Sequence, residues 1–131
     1  MIYALVAVAI WSLFLNHSSS LAHALQHGLP WLMGTRDEQG KPDATLLEQR
    51  VSRAHRNHME NLMVFFPVAL LVLQAGHGNH PYAAALAWAF FGARVGHLAF
   101  YAAGIPPLRS VTHVVGLCVY AGMFAILLGL I

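Results

Sequence analysis

The residues best able to do chemistry in this chain are basic and polar side chains that recur at helical spacing inside apolar sequence. Residues 53–60 read RAHRNHME, and at about 100° per residue one face of such a helix carries Arg53, Arg56, Asn57 and Glu60. Further along, one helical face carries Arg94, His97 and Tyr101, and another carries Arg109, His113 and Tyr120, with Ser110 beside them. We expect these polar stripes to lie at similar depth and to converge on one chamber.

The charges of that chamber do not balance. Glu60 is its one carboxylate, and it faces four arginines, at positions 53, 56, 94 and 109. A charge removed from water is costly unless it is paired, and a charge inside a membrane span is a functional candidate. The excess of positive charge therefore favours an anionic ligand with more than one negative group. Arginines near helix ends can instead reach the lipid headgroups. This alternative fits Arg50, Arg53 and Arg109 better than the deeper arginines at positions 56 and 94.

The histidines make a weaker case for a metal or haem site. His23 and His27 are four residues apart, and His55, His58 and Glu60 resemble a ligand set. Neighbouring arginines would repel a cation, however, and no group of cysteine or carboxylate ligands accompanies the histidines. The sequence therefore predicts no bound metal.

Long apolar helices must position these stripes. Of the 131 residues, 58% are hydrophobic and 9% charged, with a mean hydropathy of +0.60, whereas a soluble domain carries about a quarter charged residues. A bilayer span takes about 20 apolar residues, and the candidates run roughly over 2–29, 46–75, 81–103 and 107–131. Short connections near 76–79 and 104–106 make sequential helices antiparallel. We therefore predict an all-α integral membrane protein, one domain folded as a four-helix up-down-up-down bundle.

The basic residues predict the orientation. Arg36, Lys41 and Arg50 flank the first connection and Arg109 lies at the third, whereas both termini and the second connection carry neither lysine nor arginine. The positive-inside rule then places the 34–50 loop in the cytoplasm and both termini on the other side. No lysine or arginine precedes Arg36, so the first stretch lacks the basic start of a signal peptide and we expect it to remain as a helix. The net charge of +2 is too small to indicate a nucleic-acid partner.

Two segments carry a family resemblance. The first is RVSRAHRNHME at residues 50–60, and the second is ARVGHLAFY at residues 93–101, followed by LRSVT at residues 108–112. These segments resemble the MAPEG superfamily, the membrane-associated proteins of eicosanoid and glutathione metabolism. They are especially similar to the branch of microsomal glutathione transferases and prostaglandin E synthases. Together with the hydropathy pattern, the resemblance covers nearly the whole chain.

The resemblance implies a homotrimer that binds glutathione between neighbouring protomers, near the cytoplasmic side. Carried over position by position, the residues that would hold glutathione are Arg36, Arg53, Arg56, Asn57, Glu60, Arg94, His97, Tyr101 and His113. Arg109 would stabilise the glutathione thiolate, and Ser110 would stand beside it. The chain departs from the family pattern at Val64, where a proline is usual, and at His113, where the synthase branch has an aromatic residue.

The chemistry of glutathione agrees with these residues. Its two carboxylates and one ammonium match several arginines and one glutamate, and a nearby guanidinium favours the thiolate over the thiol. The predicted reaction is attack of that thiolate on a hydrophobic electrophile that arrives from the bilayer. We expect a glutathione S-transferase-like enzyme, with peroxidase or isomerase activity left open.

Two other functions stay open at this point. The chain could be a non-enzymatic member of the family that binds or presents lipids. It could also be a small transporter that uses Glu60 and the histidines as a proton relay, although uninterrupted helices and the lack of an inverted repeat argue against that.

Overall fold

The described part of the chain is built from four long helices. The structure is a computed structural model that describes residues 1–28, 33 and 44–131. The helices are α1 (Ile2–His27), α2 (Leu46–Gln74), α3 (Pro81–Ala103) and α4 (Pro106–Leu127), and a short 3-10 turn (His77–Asn79) joins α2 to α3. Within the described ranges there is no strand, and the predicted all-helical plan with four helices is confirmed.

Local signals in the sequence explain where these helices begin. At the start of α2, the Thr45 hydroxyl accepts from the Glu48 amide at 3.3 Å, and the Glu48 carboxylate accepts from the Thr45 amide at 2.8 Å. Such a capping box satisfies two backbone groups that the first turn leaves free. The helices α3 and α4 begin at Pro81 and Pro106, where a missing N–H costs no hydrogen bond.

Two glycines explain where α3 and α4 end. Gly104 has φ 74° and Gly129 has φ 67°, a left-handed conformation that glycine adopts without strain. After α4, the Gly129 amide bonds the Ile126 carbonyl at 3.1 Å and the Leu130 amide bonds the Ala125 carbonyl at 2.9 Å. This pair of bonds closes a helix, and α4 therefore ends at Leu127 rather than at the predicted residue 131.

Neighbouring helices run antiparallel, because residue numbers fall along one helix as they rise along the next. The pairs that contact each other are Ser12 with His58 and Asn16 with His55 (α1 and α2), Arg50 with Ala102 and Phe65 with Phe90 (α2 and α3), and Leu86 with Gly122 and Arg94 with Thr112 (α3 and α4). We call the end of the bundle where α2 begins and α3 meets α4 the loop end. The opposite end, with both termini and the 77–79 turn, is the terminal end.

Two of the four predicted spans are long and apolar enough to cross a membrane, and they are α3 and α4. In α1 the apolar stretch covers only Ile2–Ser18, and the rest of the helix carries further serine, histidine and glutamine residues. The helix α2 falls short because its first half carries the charged residues. Large apolar side chains nevertheless face outward on all four helices, among them Tyr3, Met63, Trp88 and Val111, and such a surface suits lipid.

The apolar core lies toward the terminal end. Phe65 and Phe90 are fully buried and lie flat on each other, with ring centroids 3.8 Å apart and planes 2° apart. Small residues let the helices approach closely, and a Cβ added to Gly122 would stand 2.9 Å from the Leu86 methyl groups. Toward the loop end this apolar packing gives way to hydrogen-bonded polar residues.

Candidate functional site

The centre of the polar region is the buried guanidinium of Arg94, which is 2% exposed. It donates from Nη1 to Asn57 Oδ1 and from Nη2 to the Thr112 carbonyl, each at 3.2 Å, and it lies 5.3 Å from the centroid of the Phe90 ring. Gly116 leaves room for it, since a Cβ there would stand 3.2 Å from Nη2. All of these partners are neutral, so the positive charge of Arg94 is solvated by the protein but not cancelled.

His97 and Thr112 join α3 to α4 one turn closer to the loop end. His97 is buried, and its Nδ1 lies 3.0 Å from the Thr112 hydroxyl. That hydroxyl in turn donates to the Arg109 carbonyl at 2.7 Å. The imidazole also packs on Tyr101, with ring centroids 5.4 Å apart. The spacing of His97 and Tyr101 on one helical face, read from the sequence, is therefore matched by contact in the structure.

The guanidinium of Arg109 lies over the ring of Tyr101, with its central carbon 4.8 Å from the ring centroid. Both side chains are half-buried. A cation over an aromatic face is attracted by it, which holds Arg109 in place without neutralising its charge. Ser110 is exposed, and its hydroxyl donates to the Pro106 carbonyl at 3.2 Å. The Arg109 guanidinium is therefore more available than the Ser110 hydroxyl to interact with a bound anion.

These residues surround a cavity of about 290 Å³ that we call the Arg109 cavity, lined by Asn57, His97, Tyr101, Arg109, Ser110, His113 and Val114. Every one of them except Val114 is a site residue predicted from the sequence. A second hollow of about 190 Å³ adjoins it, and Tyr101 and Arg109 line both. Arg50 and Arg53 of α2 contribute to this second hollow. Ligand pockets usually occupy about 300–1,000 Å³, so each hollow alone is at or below the small end of that range.

The structure separates the other predicted residues of α2 from this cavity. Arg53, Arg56 and Glu60 are exposed, and Glu60 has no hydrogen-bond or ion-pair partner among the described residues. The α2 stripe covers a wide arc, so that its Asn57 edge meets Arg94 while the rest points outward. One chain therefore does not enclose the expected chamber. Arg36 lies outside the described residues.

Two residues near the cavity were not identified from the sequence as site residues. Thr112 contacts Arg94, His97 and Arg109. Asn61 accepts from the Tyr120 hydroxyl at 3.0 Å through both its carbonyl and its side-chain oxygen. The available signal was a polar residue inside an apolar run, since such a residue must find a partner within the bundle.

A second polar contact lies on the opposite side of α2. Ser12 Oγ lies 2.9 Å from Nε2 of the buried His58, and Asn16 accepts from Nε2 of His55 at 2.7 Å. His55 and His58 thus face α1, away from the stripe. No group of three histidine, cysteine or acidic residues is placed to hold a metal in the part of the chain that the structure describes.

Comparison with known proteins gives one result. A family model described as the MAPEG family matches residues 1–129, a range that includes every element of the candidate site. No curated protein and no solved structure matches the chain.

Proposed function

Because the chain belongs to the MAPEG family, we propose that it is a membrane-bound glutathione-dependent transferase of the branch that includes the microsomal glutathione transferases and prostaglandin E synthases. The family and the apolar helices together indicate an integral membrane protein. In this proposal glutathione binds at the Arg109 cavity as co-substrate, and its thiolate attacks a hydrophobic electrophile. Peroxidase activity on lipid hydroperoxides would use the same thiolate.

The observation that carries this proposal is the excess of positive charge around the Arg109 cavity. Arg109 lines the cavity, and Arg94 lies behind it with neutral hydrogen-bond partners in the part of the chain that the structure describes. A site of low dielectric with uncancelled guanidinium groups favours anionic ligands, and glutathione brings two carboxylates and an ionisable thiol.

The geometry suggests how the reaction proceeds. A thiol placed beside the Arg109 guanidinium loses its proton more easily, because the adjacent positive charge stabilises the thiolate. The sulfur then forms a bond to an electrophilic carbon, and a halide or other leaving group departs with the bonding electrons. Val114 lines the cavity and is 54% exposed, so an apolar electrophile can arrive from the lipid at this edge.

A homotrimer would account for the exposed polar residues of α2. Arg53, Arg56 and Glu60 face outward on one chain, at the depth of the cavity. A neighbouring copy that covers them would close the chamber, bring further arginines to the carboxylates and place Glu60 near the ammonium group. We propose that the loop end, with Arg36 and the rest of the 34–50 loop, lies in the cytoplasm and that both termini lie on the other side.

One observation favours a second candidate, a lipid-binding protein without enzymatic activity. An apolar groove of about 420 Å³ lies between α3 and α4 at the terminal end, lined by Tyr82, Ala85, Leu86, Ala89, Gly122 and Ile131. A groove with these neighbours suits an acyl chain. It does not explain the charges at the loop end, which is why the transferase is the leading proposal.

The binding step is tested by thermal unfolding of the purified protein in detergent. A ligand that binds only the folded state raises Tm, by an amount that grows with its concentration. Glutathione is expected to raise Tm, whereas its diethyl ester, in which both carboxylates are masked, is expected to raise it far less. Equal shifts with both compounds, or none with either, would remove the basis for the anionic site. Conjugation of an aryl halide then separates the transferase from the lipid-binding protein.

A further inference from the structure

Thr112 is the residue that connects the candidate binding residues on α3 with those on α4. It is buried and lines neither hollow, yet it takes part in three hydrogen bonds. Its carbonyl accepts from Arg94 at 3.2 Å, its hydroxyl donates to the Arg109 carbonyl at 2.7 Å, and the same hydroxyl lies 3.0 Å from His97 Nδ1.

These contacts determine which nitrogen of the His97 ring carries the hydrogen. The Arg109 carbonyl can only accept, so the single hydrogen of the Thr112 hydroxyl is directed at it. The contact with His97 then requires that Nδ1 carries a hydrogen and donates it to the Thr112 oxygen. The result is a directed chain of hydrogen bonds from His97 through Thr112 to the backbone of Arg109.

The first turn of α4, at which this series of hydrogen bonds ends, is weakly held by its own backbone. The first backbone hydrogen bond of the helix runs from Arg109 to the Ile105 carbonyl and is long, at 3.3 Å. Arg109 and Ser110 therefore sit on a turn whose position depends on contacts from outside it, and Thr112 supplies one to α3.

We propose that Thr112 is a positioning residue, whose hydroxyl links His97 to the first turn of α4 and thereby holds Arg109 where it stabilises the thiolate. This inference rests on the proposed function, since it concerns the same cavity. It assigns to Thr112 an effect on turnover rather than on glutathione affinity, because the backbone carbonyl that holds Arg94 is unaffected by the side chain.

The bundle contains a matched control for a purely structural role. Ser12 and His58 form the same kind of hydroxyl–imidazole contact between α1 and α2, at 2.9 Å, and neither residue lines the cavity. The Ser12 hydroxyl donates to the Val8 carbonyl at 2.7 Å, so the same reasoning places the hydrogen of His58 on Nε2. The two buried histidines are thus expected to carry their hydrogens on opposite nitrogens.

The experiment compares Thr112→Val, Thr112→Ser and Ser12→Ala with the wild-type protein in detergent. We would measure the ultraviolet absorbance of bound glutathione thiolate, the KM for glutathione, kcat with an aryl halide, and Tm. Thr112→Val keeps the shape of the side chain but removes the hydroxyl, and it is expected to lower kcat about tenfold to a hundredfold with KM nearly unchanged. The thiolate absorbance should fall with kcat.

Thr112→Ser retains the hydroxyl and should recover most of the kcat and thiolate signal. Ser12→Ala should lower Tm about as much as Thr112→Val does, with kcat unchanged. A Thr112→Val protein with wild-type kcat and thiolate signal would overturn the inference alone. A wild-type protein that forms no thiolate with glutathione would overturn the proposed function and this inference together.

Nitrogen NMR spectroscopy of the wild-type protein tests the geometry without any substitution or ligand. We expect His97 to be protonated on Nδ1 and His58 on Nε2. A His97 ring protonated only on Nε2 would contradict the directed chain, because the Thr112 hydroxyl would then have to donate to the ring and release Arg109. This arm keeps the inference testable even if Thr112→Val does not fold.

Discussion

At the terminal end of the bundle, Phe65 lies flat on Phe90 and the helices approach through alanine and glycine. At the loop end, the same helices α2, α3 and α4 enclose the guanidinium of Arg94, and the groups that contact it within residues 1–28, 33 and 44–131 are neutral. The first arrangement is what close packing favours. The second leaves a buried charge uncancelled, which costs stability. This contrast supports the proposal that the loop end binds an anionic ligand, because the buried charge does not add to the strength of the fold.

The substitution expected to affect turnover most is Arg109→Ala. Loss of a group that stabilises developing or existing negative charge in an active site typically lowers kcat about a hundredfold or more. Because Arg109 is half-buried and its guanidinium contacts only the Tyr101 ring among the described residues, Tm should change little. Conjugation of an aryl halide measures the first effect and thermal unfolding the second. Arg109→Lys keeps the charge and should retain part of the activity. Full activity in Arg109→Ala would show that the charges of the loop end do not take part in catalysis.

At the terminal end, Phe65→Ala should lower the stability of the fold and leave glutathione binding unchanged. Removal of a fully buried ring that stacks on Phe90 leaves a cavity and is expected to lower the free energy of unfolding by about 3 kcal/mol. The Kd for glutathione, measured on the folded protein, should stay at the wild-type value. Phe124→Ala is the matched control, since that ring is 46% exposed and points outward. A glutathione Kd that weakens tenfold in Phe65→Ala would show that the two ends are not independent.

Arg94→Leu tests the claim that the buried charge serves binding and not stability. Replacement of a buried charge by an apolar group of similar size is often neutral or stabilising. Asn57 Oδ1 keeps one partner without Arg94, because the Asn61 side-chain amide donates to it at 3.4 Å. We expect an unchanged or higher Tm, together with a glutathione affinity at least about tenfold weaker. Thermal unfolding with and without glutathione reports both quantities, and a large fall in Tm without ligand would assign Arg94 to the fold.

The smallest effect is expected at the border between the two regions, in Tyr120→Phe. The ring packs 6.0 Å from Phe90, while the hydroxyl donates to Asn61 at 3.0 Å. Loss of that hydroxyl should lower the free energy of unfolding by about 1 kcal/mol. The ring packing is retained, and no group that lines the cavity loses a partner. Chemical unfolding measures this loss of stability, and we expect kcat to stay unchanged. A reduced kcat would show that the functional region reaches into the apolar core.

Much of the fold follows from local sequence signals. Thr45 with Glu48 marks the start of α2, and Gly104 and Gly129 mark the ends of α3 and α4. Helical spacing also brings His97 and Tyr101 together, because residues four apart lie on one face. These features depend only on short stretches of chain, and the sequence contains them in full.

The rotation of one helix against another does not follow from such signals. The stripe on α2 is a property of that helix alone, and nothing in it states that Asn57 faces α3 while Arg56 and Glu60 face outward. Packing against the neighbouring helices decides this. The role of Thr112 was missed for the same reason, since its partners His97 and Arg109 are known only once α3 and α4 are placed side by side.

An experimental density map of the protein in a lipid nanodisc, recorded in the presence of glutathione, would show whether the arginines of the loop end hold this ligand. We expect the tripeptide to lie between neighbouring copies at the loop end, with its sulfur beside the Arg109 guanidinium and its carboxylates among the arginines of α2. A map in which the cavity beside Tyr101 is empty while Arg109 extends into bulk solvent would contradict the proposed glutathione site.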